Sequence, residues 1–341
     1  MTLRGGSFAF EAATKRPRIG FLGVGWIGLN RLDSLMQSDV VEAAAIADPA
    51  PKTLAQAAQV APGARMASSL DELLEMDLDG IVIATPSAMH AGQSIKALER
   101  GIPVFCQKPL GRTAAEVHTV VDAAKAADRL LGLDMSYRFT DAMRHVRDVV
   151  HSGELGHIYA VDLVFHNAYG PDKAWFYDRT QSGGGCVTDL GIHMIDLALW
   201  TLGFPAVRAV SSKLFAQGTM LAPDAAEVED YALATLELAG GMAAQLSCSW
   251  RLQAGRDAVI SAAFYGTAGG VAFRNINGSF YDFIAERYRG TACERLCSPP
   301  DAWGGRAVVD WATRIAEDAC YDPESEQFAR VAHVLDRIYG R

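Results

Sequence analysis

Short apolar runs alternate with amphipathic stretches through the first part of the chain. Residues 18–28 form an apolar run that ends in a glycine-rich turn, and an amphipathic stretch follows over 29–37. The pattern then repeats, with strand candidates at 42–47, 79–86, 102–109 and 130–136 and helix candidates at 52–60, 69–76, 88–99 and 113–128. Such alternation is typical of a parallel sheet with helices on both faces. We therefore predict an α/β domain over 17–136, after a tail of residues 1–16.

The pattern changes after residue 136. A helix candidate at 140–153 leads into longer strand candidates at 157–169, 206–216, 229–239, 241–252 and 257–266, and helix candidates at 306–319 and 325–340 follow. Successive strands joined by tight turns are typical of a mostly antiparallel sheet. The second predicted domain is therefore α+β and covers residues 137–341, with a final helix that can pack back on the first domain.

Composition and charge narrow the class of protein. The chain has 341 residues, of which 50% are hydrophobic, so it can bury a core large enough for two domains. Its net charge of -9 argues against binding to nucleic acid or to an anionic membrane surface, because both are polyanions. We expect a cytoplasmic protein, since neither a signal-peptide core nor a run of about 18 apolar residues is present.

The six cysteines predict reduced thiols rather than a disulfide framework, because they are scattered through a long chain without a secretory signal. Cys293 and Cys297 are spaced to meet on one helical turn. No second pair of Cys or His lies near them in sequence to complete a tetrahedral zinc site, so we expect no metal.

The turn after the first strand carries the pattern G-x-G-x-x-G as GVGWIG, with Gly23, Gly25 and Gly28 around Trp26 and Ile27. The first glycine permits a tight turn, the second lets the backbone approach a pyrophosphate, and the third lets helix and strand pack closely. A pyrophosphate would then lie at the positive end of the helix. The turn is therefore a candidate dinucleotide site, whereas a glycine turn that merely packs well is the alternative.

An aspartate stands where a dinucleotide site needs one. Asp48 follows the next strand, 20 residues after Gly28, and could accept hydrogen bonds from the adenosine ribose hydroxyls. The same carboxylate would repel a 2′-phosphate, and Lys52 is the nearest following cation in sequence. The sequence therefore favours NAD over NADP.

Polar side chains also follow the next two predicted strands of the first domain. Ligands of open parallel sheets bind outside the carboxyl ends of the strands. These strand ends place five further candidates at the cofactor crevice, namely Thr85, Pro86, His90, Gln107 and Lys108. A lysine that reaches the nicotinamide could hold a substrate hydroxyl and assist its proton transfer; a solvated surface charge is the alternative.

The segment SGGGCVTDLGIHMID, residues 182–196, carries three ionisable groups in an apolar run. If it is α-helical, Asp189, His193 and Asp196 stand at i, i+4 and i+7 and share one face. Asp196 could then orient the imidazole, while Gly183–Gly185 would let the chain approach a ligand closely. A polar stripe satisfied by its own hydrogen bonds is the alternative.

The ordered set of motifs, GVGWIG, the strand-end aspartate, ATPSAMH, QKPL and GGGCVTDLGIHMID, resembles the Gfo/Idh/MocA oxidoreductases, the glucose-fructose oxidoreductase and inositol dehydrogenase family. The likeness extends from about residue 18 to the final helix. It implies an N-terminal Rossmann domain that binds NAD(P) and a C-terminal domain built on a large open mixed sheet. The resemblance further implies a homodimer or homotetramer that forms through this sheet.

By matching position, the resemblance makes Lys108 the catalytic lysine, Asp189 the substrate-pocket aspartate and His193 the acid/base histidine. Gln107 departs from the family, which commonly has glutamate before the lysine; glutamine still hydrogen-bonds but brings no charge to hold the lysine protonated. The segments that line the family's pocket add three substrate-binding candidates, Arg138, Trp175 and Tyr177. For Arg138, an ion pair at the domain interface is the alternative.

These motifs together predict an enzyme that moves hydride between NAD and a secondary alcohol carbon of a sugar, inositol or related polyol. Two alternatives stay open: an oxidoreductase that keeps and recycles a tightly bound NAD(P), and an NAD-binding, ligand-sensing regulator on the same fold. The particular sugar, the direction of reaction and the subunit number do not follow from the sequence.

Overall fold

A sheet of six parallel strands forms the first part of the structure, a computed structural model that describes residues 16–222 and 225–341. The predicted tail lies, apart from Arg16, outside the described residues. The strand order β3-β2-β1-β4-β5-β6 is that of a Rossmann fold, and the chain changes direction across the sheet between β1 and β4. The strands are β1 Arg18–Leu22, β2 Glu42–Ala47, β3 Arg65–Ala67, β4 Gly80–Ile83, β5 Val104–Cys106 and β6 Leu131–Leu133.

Helices connect these strands and cover both faces of the sheet. They are α1 Trp26–Ser38, α2 Pro51–Val60, α3 Leu70–Leu74, α4 Ser87–Glu99 and α5 Ala114–Ala127. Ser69 and Thr113 cap α3 and α5 by accepting hydrogen bonds from backbone N–H groups of the first turn. Strands β1, β2, β4 and β5 are buried on both sides over most of their length, as a sheet between two helical layers requires, whereas the edge strand β3 is largely exposed.

The second sheet is mixed and mostly antiparallel, in the order β15-β14-β13-β12-β7-β11-β10-β8-β9, with β7 and β11 as a parallel pair. Its strands are β7 Ile158–Asn167, β8 Val207–Ala216, β9 Thr219–Met220, β10 Tyr231–Leu238, β11 Met242–Ser249, β12 Ala258–Gly266, β13 Gly269–Asn275, β14 Phe283–Arg289 and β15 Ala292–Cys297. Cys293 and Cys297 therefore lie on a strand, and the helical turn that their spacing suggested is not formed.

Helices cover one face of this sheet and lead back to the first one. They are α6 Asp141–His151, α7 Arg179–Ser182, α8 Ile192–Thr201, α9 Arg306–Glu317 and α10 Glu326–Ile338. Helices α6, α8 and α10 pack on the second sheet, while α9 packs on α1 and α10 also packs on α5. One apolar cluster runs continuously from the Rossmann sheet into the layer between the second sheet and its helices.

This arrangement brings the carboxyl ends of β1, β4 and β5 opposite the chain that enters α8. Among the described residues, no helix combines the length and the apolar character that a membrane crossing needs.

Candidate active site

The glycine-rich turn after β1 has the geometry of a dinucleotide cradle. Gly23 has φ +84°, and a Cβ there would lie 2.7 Å from the Ala84 carbonyl oxygen. A Cβ on Gly28 would lie 2.1 Å from the Gly23 oxygen, so glycine lets α1 start directly against the turn. Around Gly25, by contrast, no heavy atom of the described residues lies within 4 Å of a Cβ position. That space adjoins the free N–H groups of the first turn of α1, where a pyrophosphate fits.

Asp48 is fixed against this turn. Its Oδ2 accepts a hydrogen bond from Val24 N–H at 2.8 Å, and its Oδ1 accepts from Ala50 N–H at 2.8 Å and from Thr53 Oγ1 at 2.7 Å. The carboxylate therefore stands at the end of β2, held beside the glycine turn, where its remaining lone pairs can accept from a ribose. Trp26, which is 76% exposed, and the half-buried Ile27 open α1 beside it.

A buried histidine joins the segment that follows β4 to the segment that follows β5. Nδ1 of His90 lies 2.7 Å from the Pro109 carbonyl oxygen, and its Nε2 lies 2.6 Å from the Thr85 carbonyl oxygen. Burial lowers the pKa of His90, although both carbonyls act in the opposite direction. With 1% of its surface exposed, His90 holds two walls of the crevice together, while Thr85 and Pro86 remain half-buried at its edge.

Gln107 belongs to a buried network that the sequence did not indicate. Its Nε2 donates to Oδ2 of Asp134 at 2.7 Å, and Nε of Arg31 donates to the same oxygen at 2.6 Å. Oε1 of Gln107 accepts from the N–H of Lys108 at 3.0 Å. The carboxylate next to this strand end thus comes from Asp134, the residue directly after β6, and it is paired with Arg31 of α1.

Lys108 and Asp189 meet across the two halves of the structure. Nζ of Lys108 donates to Oδ1 of Asp189 at 2.7 Å and to its carbonyl oxygen at 2.6 Å. The exposed fractions of the two side chains are 16% and 18%, so the pair is shielded but reachable. The other carboxylate oxygen accepts from Nε1 of Trp250 at 3.0 Å. Trp250 directly follows β11, and the sequence analysis did not predict it as a site residue. Its one sequence signal is a tryptophan placed just after a predicted strand.

His193 lies in the same region, 7% exposed, and its Nδ1 is buried without a hydrogen-bond partner among the described residues. The ring of Tyr137 packs edge-on against it, with 4.8 Å between the ring centroids. Burial, followed by the positive charges of Lys108 and Arg31, lowers the pKa of His193 well below 6.5. The imidazole is therefore neutral at physiological pH and has a free nitrogen lone pair.

The single α-helix predicted through Asp189, His193 and Asp196 is not formed, because residues Val187–Gly191 are π-helical and α8 begins at Ile192. A π turn closes i to i+5 hydrogen bonds and changes the angular spacing of side chains. Asp196 makes no hydrogen bond with His193 in the described structure. Its two oxygens instead accept from Arg138, at 2.8 and 2.5 Å.

Arg138 itself is held inside the protein. Besides Asp196 it donates to Oε1 of Gln327 at 3.2 Å, and the two side chains of the ion pair are 11% and 2% exposed. Its guanidinium also lies 5.6 Å from the ring of Trp200. Arg138 therefore forms a structural ion pair, although both partners lie within the predicted second domain and not at the domain interface that the alternative interpretation named. The same contact corrects the expectation that Asp196 orients the imidazole.

The aromatic candidates lie at the outer side of the Lys108–Asp189 pair. Tyr177 is 37% exposed, and its ring centroid lies 5.6 Å from that of Trp250. Trp175 stacks on Phe176 with 3.8 Å between centroids, and Phe176 in turn packs edge-on against Trp250. A chain of aromatic rings therefore leads from Asp189 towards solvent.

The three glycines before the π-helical segment approach protein rather than an open ligand space. A Cβ on Gly183 would lie 2.8 Å from Arg112, one on Gly184 would lie 2.0 Å from the Tyr339 hydroxyl, and one on Gly185 would lie 1.9 Å from the Glu229 carbonyl oxygen. The expectation that they let the chain approach a ligand is thus corrected.

Comparison with known proteins identifies the family. The model of the "Oxidoreductase family, NAD-binding Rossmann fold" matches residues 17–135, and that of the "GFO/IDH/MocA C-terminal domain" matches residues 143–272. The inositol 2-dehydrogenase of Leifsonia xyli subsp. xyli is 31% identical over 257 residues, which are 74% of this chain and 72% of that enzyme.

A second enzyme is similar in sequence, and a solved structure is similar in fold. The D-glucoside 3-dehydrogenase of Escherichia coli is 30% identical over 208 residues, 58% of this chain, and the match spans 59% of that enzyme's length. The solved structure of GenD2 from gentamicin A biosynthesis, in complex with NAD, has the same fold, with a TM-score of 0.79, 24% identity, and coverage of 98% of this chain and 97% of that one. The motifs, the fold and the family models agree, and the chain belongs to the Gfo/Idh/MocA family of oxidoreductases.

Proposed function

We propose that the protein is an NAD-dependent dehydrogenase that transfers hydride between nicotinamide and a secondary alcohol carbon of a sugar, inositol or related polyol. The observation that carries the proposal is the contact of Lys108, at the end of β5, with Asp189, beside the neutral and buried His193. Relatives named D-glucoside 3-dehydrogenase and inositol 2-dehydrogenase support a polyhydroxylated substrate.

The residues of the crevice fit a dinucleotide. The open space at Gly25 and the first turn of α1 would hold the pyrophosphate, and Asp48 would hold the adenosine ribose. The anchored carboxylate of Asp48 disfavours a 2′-phosphate by charge repulsion, which supports NAD over NADP. When bound, the nicotinamide accepts or donates the hydride.

His193 would act as the general base in the direction of alcohol oxidation. A neutral imidazole can take the hydroxyl proton of the substrate on a ring nitrogen as the carbinol carbon loses its hydride. Tyr137 packs against the ring and excludes water from that side. In the reverse direction the imidazolium returns the proton to the forming alkoxide.

Lys108 would bind the reacting oxygen. Its ammonium group donates two of its three hydrogens to Asp189, which leaves one for the substrate hydroxyl and for the negative charge that develops on it. Asp189, itself fixed by Trp250, sets the position of that ammonium group. Gln107 holds the backbone N–H of Lys108 and so orients the strand end.

The test is a screen of inositols, aldoses, sugar acids and their keto forms with NAD and NADP separately, followed by the absorbance of the reduced nicotinamide. We expect turnover with NAD, and a loss of kcat of at least about 100-fold in Lys108→Met and in His193→Asn. Lys125→Met, at an exposed lysine of α5, is the matched control and should retain wild-type kcat.

Binding of NAD should survive in both site variants, because neither side chain holds the pyrophosphate or the ribose. Turnover that persists in Lys108→Met and His193→Asn would remove these residues from the mechanism. If the wild-type protein binds NAD but turns over no member of the panel, the proposed dehydrogenase activity is rejected.

A further inference from the structure

A buried carboxylate holds the backbone at the start of the π-helical segment, the segment that carries Asp189. Glu229 precedes β10 and is 2% exposed. Its two oxygens each lie 3.0 Å from the N–H of Gly185, and Oε1 lies 2.9 Å from the N–H of Val187. Its own carbonyl oxygen accepts from the N–H of Cys186 at 3.0 Å. One residue therefore binds three consecutive N–H groups at the start of the segment.

Tyr339, just after α10, completes the arrangement. Its hydroxyl donates to Oε1 of Glu229 at 2.8 Å and lies 2.9 Å from Oγ1 of Thr188. Because the hydroxyl hydrogen points to the carboxylate, the Thr188 hydroxyl donates to the tyrosine oxygen. Thr188 is the residue directly before Asp189, so the contacts of Glu229 and Tyr339 reach to the neighbour of the group that binds Lys108.

The partners of the Glu229 side chain are all donors. Burial raises the pKa of this carboxyl group, while the two backbone N–H groups and the Tyr339 hydroxyl act in the opposite direction. A protonated carboxyl would need an acceptor, and the described contacts contain none, so the geometry suits the ionised form. An anion at the amino end of a helical segment is also favoured by the segment's own dipole.

The glycines before the segment are explained by this contact. A side chain at Gly184 would collide with the Tyr339 hydroxyl, and one at Gly185 would collide with the Glu229 backbone. Two residues without Cβ thus allow the carboxylate to reach the N–H groups directly.

From these contacts we propose that Glu229 and Tyr339 are positioning residues, which fix the π-helical segment so that the Asp189 carboxylate meets Lys108 and Trp250. They touch neither substrate nor cofactor, and their effect on turnover rests on the proposed function. A shift of about 1 Å at Asp189 would misplace Lys108 and slow the chemical step by up to about 100-fold.

The experiment compares Glu229→Gln, Tyr339→Phe and Glu229→Ala with Glu227→Gln, an exposed control two residues away. We expect kcat to fall about tenfold in the first two variants and about 100-fold in Glu229→Ala, with KM changed less than about threefold and NAD affinity unchanged. The control should keep wild-type kcat.

A second measurement is independent of turnover. In protein labelled with 15N-tryptophan, the indole N–H of Trp250, assigned with Trp250→Phe, reports its hydrogen bond to Asp189. We expect this signal to move in the Glu229 and Tyr339 variants and to stay in place in Glu227→Gln, because the carboxylate that it contacts is displaced only in the former.

Three results would overturn the proposal: unchanged kcat in folded variants, an unchanged Trp250 signal, or a loss of kcat that follows only the loss of folded protein in thermal melts. If the wild-type protein turns over no member of the substrate panel, the proposed function fails, yet the Trp250 signal still decides whether Glu229 and Tyr339 position Asp189. A signal that moves would then sustain the positioning role without the dehydrogenase.

Discussion

At the scale of single residues, Asp48 decides which dinucleotide the crevice prefers. We predict that Asp48→Asn weakens NAD binding about tenfold, because hydrogen bonds from the ribose to a charged acceptor are the stronger ones. The amide oxygen can still accept from Val24 N–H, whereas the amide nitrogen that replaces Oδ1 no longer accepts from Ala50 N–H and Thr53. NADP should bind better than to the wild type, since the repulsion of a 2′-phosphate is gone. Fluorescence titration with both nucleotides measures this, and an unchanged ratio of the two dissociation constants would contradict it.

His193 sets a prediction for the pH dependence. A base must be deprotonated to act, and the lowered pKa of His193 extends its neutral form to pH values below 6.5. We therefore expect kcat/KM for alcohol oxidation to stay level from about pH 8 down through 6.5 and to decline only in more acidic buffer. If the base were a solvated histidine with its ordinary pKa of 6.5, half of it would be protonated at pH 6.5, and kcat/KM would already have fallen by half. An acid limb centred at or above 6.5 would exclude His193, in this environment, as the base.

The sequence predicted those residues that a motif carries within a few positions. Lys108, Asp189 and His193 are of this kind: the structure places Lys108 in contact with Asp189, and the charge of Lys108 acts on the buried His193. Trp250 and Asp134 were missed because their partners, Asp189 and Gln107, are 61 and 27 residues away in sequence. These residues meet their partners only when elements from separate parts of the chain pack together, so neither spacing nor composition predicts the contacts.

At the scale of elements, the Arg138–Asp196 pair joins the turn before α6 to α8. Removing one partner of a buried ion pair leaves an unpaired charge, so we predict that Arg138→Met and Asp196→Leu each lower the free energy of unfolding by about 3–5 kcal/mol. The double variant should regain most of that loss, because both charges are then absent. Denaturant unfolding of the four proteins measures the coupling.

This cycle also separates the two interpretations of Arg138. A structural ion pair predicts lost stability with little change in substrate KM. A substrate-binding arginine predicts the reverse, a raised KM in Arg138→Met with no rescue of that KM in the double variant. Strictly additive losses of stability would contradict the ion-pair interpretation.

The alternation of apolar and amphipathic runs predicted the parallel sheet and its helices well, because each element there carries its own periodic pattern. The π-helical segment was not predictable, since an α and a π turn have the same apolar content and only contacts such as that of Glu229 with Gly185 and Val187 select between them. The short strands β3 and β9 and strands β13 to β15 were also missed. Strand β15 is largely exposed, and its pairing with β14 depends on tertiary register.

At the scale of the whole molecule, each of the two sheets contributes different residues to the site. The Rossmann sheet offers the crevice and Lys108, and the second sheet with α8 offers Asp189 and His193. Helices α9 and α10, which end the described chain, pack on α1 and α5 and so fasten the two halves at the fixed distance that the Lys108–Asp189 contact needs. The order of motifs predicted both sheets, but this fastening rests on side-chain packing between remote segments.

The second sheet also presents a face that no described helix covers, and the resemblance that the sequence indicated places the subunit contact there. Along β7, Val161, Leu163 and Phe165 are buried under the helices, while Val164 points to the other side. Val164 pairs with Ser247 on β11 and with Ser261 on β12, so it stands in the middle of that face. We propose that this face joins two copies of the chain.

We predict that Val164→Arg dissociates the assembly, because a charged side chain in the middle of the contact would have to lose its water and would disturb the packing of the two faces. Light scattering after size exclusion should then show a mass close to the 36.6 kDa of one chain, against a dimer or tetramer for the wild type. The control Gln56→Arg adds the same charge on an exposed position of α2 and should leave the mass unchanged. A wild-type monomer at micromolar concentration would refute the contact outright. An oligomer that survives in Val164→Arg would place the contact on another surface. Val164 lies in the middle of this face, so an arginine there could not stay in water at the rim of an interface formed by it.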